Sequence, residues 1–596
     1  MGSTFKSNDM EISEILKKID DGRIKLPEFQ RDWVWEDERI RMLIASISNS
    51  YPVGALMFLE YGGDTVRFKY RPFTGATADG KPEILVLDGQ QRLTSIYGAM
   101  FCENALPTKD NKNKEIKRFY YLDIEKSLSE ATDRIDAVLS LPEDRIIREN
   151  FGRDVSLDLS EREKEFEKHM FPLNIVYDPI SFLAWLDEYR AHHKHDEELL
   201  QRLRQFTAEI LTPILSYKVP VVTLGKDTPK EAVCQVFEHV NTGGKPLNVF
   251  DLLVATFAAE DFDLRKDWGV RHDKFKMTDL LLKVEATDFL TAITLLSRYY
   301  THKSGGEAVS CKRKDLLAVS LSDYQEYADR LTNSFTEAAN FLMEQRIFTV
   351  KDLPYPTQLI PLAVLFAILG SKAKDNTVRN KLLRWFWCGV FGEMYGGANE
   401  TRYVNDVTGV TAWVDGGVDE PDTVSRAWFS PTRLLSLRDK KSAAFKGVLA
   451  LILKSGAKDF ISGSEMDSAN FTGQEVQIHH IFPTDHCNKR GYDRKKWDYI
   501  VNKTPLFSRS NLIVGGSAPS HYLKKIEAKG RVTSSDLDGF IASHLIDVVD
   551  LRADNFEAYF VKRAKALLGL ISDAMGKKIE GLGSDEVVAE FGASLE

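Results

Sequence analysis

Ile84-Leu85-Val86-Leu87-Asp88-Gly89-Gln90-Gln91-Arg92-Leu93-Thr94 changes character at its midpoint. Four apolar residues in a row suit a buried strand. Asp88-Gly89 is a turn dipeptide. Beyond it Leu93, Ile96 and Tyr97 recur at helical spacing, so a helix starts directly after the turn. Asp88 is placed to cap that helix. The free N–H groups of a helix start form an anion site, and Arg92 adds a planar fork of donors. Gln90 and Gln91 add neutral donors and acceptors. Such a set suits a phosphate or a nucleotide. The same residues also read as a capped helix with a surface arginine. Strand, turn and helix in immediate succession predict mixed α and β structure in the first part of the chain.

The flanking sequence extends this pattern. Segments 11–20 and 36–48 are amphipathic helices, with Ile12, Ile15, Leu16 and Ile19 on one apolar face and Ile40, Leu43, Ile44 and Ile47 on the other. Segment 24–29 is short and extended, and 54–60, 65–70, 83–87, 118–123 and 219–224 read as strands. A long helix is predicted over 197–217. Gly75-Ala-Thr-Ala-Asp-Gly80-Lys81-Pro82 approaches a phosphate-binding loop, but Pro82 replaces the hydroxyl that would hold Mg²⁺ and a strand follows instead of a helix. It reads as a hairpin connection. From 287 to 454 the pattern is almost purely helical, and the aromatic run Trp385, Phe386, Trp387, Phe391 and Tyr395 reads as core. A turn-rich stretch, 455–473, suggests a boundary. The expected organisation is α+β: a mixed domain over 1–262, a helical connecting region over 263–454, a domain with flanking helices over 455–575, and a flexible tail over 576–596.

Two further segments belong with the opening one. Leu26-Pro-Glu-Phe-Gln30-Arg31-Asp-Trp33-Val-Trp35 carries tryptophans that read as core or loop anchors, with Gln30 and Arg31 able to face a pocket. Val236-Phe-Glu-His-Val-Asn241-Thr-Gly243-Gly244-Lys-Pro-Leu247 reads locally as a turn between helices. Phe-Gln-Arg, Asp-Gly-Gln-Gln-Arg and Asn-Thr-Gly-Gly, in this order and at this spacing, resemble the ParB/sulfiredoxin-like domain of GmrSD-type restriction proteins. The resemblance covers roughly residues 8–262 and implies a domain that binds or hydrolyses a nucleoside triphosphate and couples DNA recognition to cleavage. It implies that Gln30, Arg31, Asp88, Gln90, Gln91 and Arg92 line the nucleotide pocket, with Asn241 and Gly243 as weaker candidates.

A second constellation lies near the C-terminus. Gln477-Ile-His479-His480-Ile-Phe-Pro483 is followed by Asn502, 22 residues after His480, and by Asn511, 9 residues further on. Adjacent histidines on an extended strand point to opposite sides, so one can hold a metal while the other meets substrate. Phosphodiester hydrolysis needs an activated water and a cation on the scissile phosphate. A neutral histidine suits the base role. Histidine plus asparagine ligation suits Mg²⁺ or Mn²⁺. The pattern resembles the HNH, or ββα-metal, nuclease motif, in the version that accompanies the Asp-Gly-Gln-Gln-Arg domain. The resemblance implies that His480 is the general base, that His479 and Asn511 are metal ligands, and that Asn502 braces the loop and orients His480. Relatives often carry Asn where Gly515 or Gly516 stands, which leaves a third metal contact open, with His521 in reserve. His486 and Cys487 suggest zinc, but no four-ligand set is visible.

Charge and composition narrow the function. Net charge is −9, which argues against a protein that coats nucleic acid over its whole surface. Yet His479 to Arg531 holds eleven Lys or Arg against four Asp or Glu, the footprint expected of phosphate contacts. Lys489, Arg490, Arg494, Lys495 and Lys496 are the candidate DNA contacts. The five cysteines are scattered, with no Cys-x-x-Cys pair, which fits a reducing cytoplasm. The apolar run 359–369 is too short to span a bilayer. By resemblance the chain is expected to be a type IV restriction endonuclease of anti-phage defence, nucleotide-regulated, cutting modified double-stranded phage DNA with Mg²⁺ or Mn²⁺; a homodimer is allowed. The alternatives are a nucleotide-regulated DNA-binding adaptor without cleavage, or an RNA-cleaving toxin.

Overall fold

The computed structural model describes residues 5–28, 30, 33, 35–62, 68–149, 154–229, 232–233, 236, 248–397, 399–417, 419–467 and 476–596. They form two compact units, Met1–Leu264 and Arg265–Glu596. Sheets dominate the first, and the second is largely helical.

In the first unit Ile84–Asp88 lies inside a six-stranded mixed sheet. The order is Phe5–Glu11, Lys218–Leu224, Leu56–Glu60, Ile84–Asp88, Ile24–Pro27, Tyr70–Arg71. Successive side chains of a strand face opposite sides of the sheet. Val86 accordingly joins one core cluster with Ile15, Leu16, Ile44, Ile96 and Tyr97. Leu85 and Leu87 join another, with Leu59, Leu224 and Ala255. Burial on both faces explains why the run Ile84–Leu87 has no polar alternation. Helices Ile12–Asp20, Asp37–Ser48 and Gln90–Met100 supply the first cluster, and Val249–Ala258 contributes to the second. A second, antiparallel sheet joins Leu106–Lys109, Glu115–Asp123, Val138–Pro142 and Met170–Pro172.

Several expectations change. The cap of Gln90–Met100 is Gly89 at φ +95°, not Asp88, whose side chain is drawn instead to Arg92. Segment 75–82 does not join a hairpin, because Tyr70–Arg71 and Ile84–Asp88 both pair with Ile24–Pro27 and not with each other. Part of the expected strand 65–70 lies outside the described residues. The expected helix 197–217 divides into Glu197–Phe206, a π turn at Thr207–Leu211 and Thr212–Leu215. Pro213 lacks the N–H that a regular helix would use there. Phe5–Glu11 is a polar edge strand that alternation could not reveal.

In the second unit, helix Leu321–Glu344 packs on Leu359–Leu369. Helical turns on either side extend the latter to 19 residues, Pro356–Lys374, long and apolar enough to cross a membrane; 67% of its most apolar 18-residue window is buried, as in a core helix. Trp385, Phe386 and Trp387 are buried. Helix Ala443–Lys454 meets strand Lys503–Phe507, and Asn376–Phe391 meets Phe556–Met575, so packing continues across the expected boundary near 455. The expected flexible tail is also replaced: Asp585–Phe591 is a helix, with Val587, Phe591 and Leu595 buried and Phe591 stacked on Phe560 at 5.8 Å. Three apolar side chains at the chain end overcome its Gly- and Glu-rich composition.

Candidate active site

Val476–His480 and Lys503–Phe507 form an antiparallel pair, with His479 opposite Thr504 and His480 opposite Lys503. Helix Ser508–Val514 begins at the end of the second strand and carries Asn511. Asp459, buried, holds this junction: it accepts from the Phe507 N–H at 3.2 Å and the Ser510 hydroxyl at 2.7 Å. The two histidines diverge as neighbours on a strand must.

His479 is buried, and its Nδ1 lies 2.7 Å from Asn511 Oδ1. Asn511 Nδ2 donates to Gln477 Oε1 at 2.7 Å, which turns the amide oxygen toward His479. His479 Nε2 is buried with no partner. Burial pushes the His479 imidazole down to about 4, so it is neutral at ordinary pH. The amide oxygen only accepts, so this contact is a hydrogen bond from Nδ1–H; the same two side chains are the pair that would hold a cation in place of that proton. Among the described residues no group of three His, Cys, Asp or Glu side chains is gathered in metal range. A cation here would draw on this pair and on water, as Mg²⁺ and Mn²⁺ do.

His480 faces a different group. Its Nε2 lies 3.3 Å from Asp498 Oδ1. A carboxylate only accepts, so Nε2 carries the proton and Nδ1 presents its lone pair. Burial and then Lys503 lower the His480 pKa, against the pull of Asp498. Asp498 also meets Arg438 at 3.1 Å, Arg494 at 3.3 Å and Lys503 at 3.3 Å. Burial opposes ionisation, but Lys503, His480 and Arg438 hold its carboxyl below the usual range. Asn502, fully buried, accepts from the Phe482 N–H at 2.8 Å and donates to the Phe482 and Trp497 carbonyls at 2.9 Å. It therefore ties the segment after His480 to the segment before Lys503.

The candidate DNA contacts divide. Lys489, Arg490, Arg494 and Lys495 are exposed. Lys496 is spent on Glu557 at 2.8 Å. His521 is exposed on the helix Pro519–Gly530. The four described cysteines are held as thiols: burial pushes Cys102 and Cys388 up to about 11, and Cys311 and Cys487 up to about 12. Cys234 lies outside the described residues.

In the first unit, Gln30 Nε2 donates to the carbonyls of Val86 at 2.6 Å and Leu87 at 3.0 Å, while its Oε1 is buried without a partner. Arg92 donates to the carbonyls of Val53 at 2.8 Å and Ala55 at 2.9 Å and meets Asp88 at 3.1 Å. Its fork is thus used to hold the 53–55 segment against the helix start. Gln90 is buried and Gln91 half-buried at that start. Arg31, Asn241 and Gly243 lie outside the described residues. A separate cavity of about 640 Å³ opens beside Trp33 and Trp35, and none of the described nucleotide-pocket candidates lines it.

Sequence reasoning missed Asp498 and Asp459. Asp498 registered only as an acid in a basic window, and Asp459 lies outside the motif altogether. Their roles come from contacts across 18 residues to His480 and 51 residues to Ser510.

Residues 12–258 match the family model of the GmrSD restriction endonuclease N-terminal domain. The first unit is therefore similar to a domain of a restriction-type nuclease, whose substrate class is DNA. Over a longer span the chain is 28% identical to an uncharacterized protein of Methanocaldococcus jannaschii, across 544 residues and 86% of either chain.

Proposed function

We propose that this protein is an HNH-type DNA endonuclease of the modification-dependent, type IV restriction class. The observation that carries the reading is the His480–Asp498 contact on a strand pair whose following helix brings Asn511 to His479. His480 is the general base: Asp498 holds its Nε2–H, and Nδ1 takes the proton of the attacking water. A divalent cation held by His479 and Asn511 would stabilise the charge that develops on the scissile phosphate. Asn502 keeps the loop closed behind His480. Lys489, Arg490 and Lys495 attract the phosphate backbone, as does Arg494 beyond its contact with Asp498. The first unit binds a nucleoside triphosphate near the start of Gln90–Met100 and couples it to cutting, with Gln90 and Gln91 as contacts and Arg92 as a brace. Modified phage DNA in the cytoplasm is the substrate, and a homodimer is compatible with this scheme.

The test compares modified and unmodified phage genomes, with Mg²⁺ or Mn²⁺, with and without nucleotides. Wild-type protein should cut the modified genome. His480→Ala should slow single-turnover cleavage by about 10²–10⁴-fold with an unchanged melting curve. Cleavage at the wild-type rate would remove His480 from the mechanism. Binding without cutting by the wild type would favour an adaptor, and cutting confined to RNA would favour a toxin.

A further inference from the structure

The cavity beside Trp33 and Trp35 has no part in the nuclease centre. Its volume, about 640 Å³, lies in the range of ligand sites. Both tryptophans are half-buried: they pack partly against the core and partly line the cavity. They are held in place. Trp33 Nε1 donates to Ser95 Oγ at 3.2 Å, and Thr108 Oγ1 donates to the Trp35 carbonyl at 2.7 Å. Lys109, Lys117 and Arg118 line it together with Glu115 and Glu143, and Arg118 Nε is buried with no partner. Lys117 pairs with Glu143 at 2.9 Å, both largely exposed. Fixed indoles beside cations suit a planar ring that carries negative charge, as a nucleotide does.

The backbone decides how much phosphate the site can take. Leu106–Lys109 and Glu115–Asp123 pair with each other, so the peptide groups that face across serve the ladder. Pro107 and Pro142 have no N–H. Among the described lining residues there is no glycine and no first turn of a helix. A triphosphate wants a nest of free N–H groups, and the described lining holds no glycine loop or helix start to make one. A base on a strand, with single phosphates spaced along it, fits the scattered cations better.

We propose that this cavity receives one nucleobase swung out of duplex DNA, stacked against Trp35 or Trp33, with Lys109, Lys117 and Arg118 meeting the adjoining phosphates. The DNA source of the base rests on the nuclease reading; the stacking site does not. Swinging out costs least for an unpaired or mismatched base.

The test uses the full chain without divalent cation, so that nothing is cut. The probes are a duplex with a mismatched 2-aminopurine, the same duplex fully paired, and free nucleoside monophosphates. Anisotropy reads affinity, and 2-aminopurine emission reports stacking. The wild type should prefer the mismatched duplex and quench its emission. Trp35→Ala should lose about tenfold or more of that affinity and the quenching, Trp35→Phe should keep most of both, and affinity for the paired duplex should hold. Trp35→Leu, which keeps apolar bulk without a π face, should behave like Trp35→Ala and covers the case in which the alanine variant fails to fold. Equal affinities across these variants would overturn the proposal. Losses confined to the free monophosphates would overturn the DNA source. Cleavage by the wild type with Mg²⁺ is scored separately. A chain that cuts without any Trp35 dependence sinks this proposal alone, and one that stacks the base but never cuts sinks only the nuclease.

Discussion

Asp498 gathers three cationic side chains and one imidazole around a single carboxylate. Arg438, Arg494 and Lys503 keep it ionised, and an ionised acceptor fixes which nitrogen of His480 bears the proton. On the proposed mechanism the neutral imidazole then needs no deprotonation before it acts as base. Removing the carboxylate should leave His480 present but free to turn. Asp498→Ala is therefore expected to slow cleavage about 10–100-fold, the usual cost of losing a group that orients a reacting residue, with DNA affinity little changed. A wild-type turnover rate in that variant would show that Asp498 serves only Lys503 and the arginines. His480, Asn502 and Asn511 are candidates that the spacing of His and Asn offers. Asp498 is not among them, because its partnership with His480 follows from how the connection between two strands folds back. Arg92 is the opposite case: it was legible as a cation near a helix start, but the structure spends its donors on carbonyls of the chain.

At the scale of elements, the strand pair and its helix are held from behind by groups far along the chain. Tyr559 donates to the Val501 carbonyl at 3.0 Å, and Arg563, fully buried, donates to the Lys503 carbonyl at 3.1 Å and to the His544 carbonyl. His544 lies 2.6 Å from Thr504 Oγ1 and 2.7 Å from the Lys458 carbonyl, so Nε2 donates and Nδ1 accepts. Burial pushes this imidazole down to about 4. As pH falls from about 6.5, the unfolded chain takes a proton that the folded one refuses, so stability present above that value is lost toward about 4. Urea melts at about pH 7 and about pH 5 should show the loss, and His544→Gln should reduce it; an undiminished pH dependence would shift the effect to other groups. The C-terminal helix gives a second test. Phe591 is buried against Phe560, so Phe591→Ala should destabilise the protein by about 3 kcal/mol. No change in the melt would mean that the end of the chain is frayed after all.

For the whole molecule, net charge is acidic while the segment around His480 is basic. Overall charge resists general coating of DNA, and on the proposed function the local field would draw the backbone to one place. Exposed Lys489 and Arg490 should each contribute about one phosphate contact, so replacing both with Ala should reduce the slope of log affinity against log salt by about two. An unchanged slope would place the DNA elsewhere. The α+β class, the strand-to-helix junction at Asp88 and the order of the His and Asn residues were set by local chemistry: runs of apolar residues, turn dipeptides and fixed spacings act over a few residues, and a sequence displays them directly. Which strands neighbour each other, that Gly89 and not Asp88 caps the helix, that Asp498 serves His480, that Trp33 and Trp35 line a cavity, and that the tail is ordered were decided by the tertiary structure. Most depend on groups that are not neighbours in the sequence meeting in space, where burial removes water as an alternative partner and makes the contact, not the local pattern, determine the outcome.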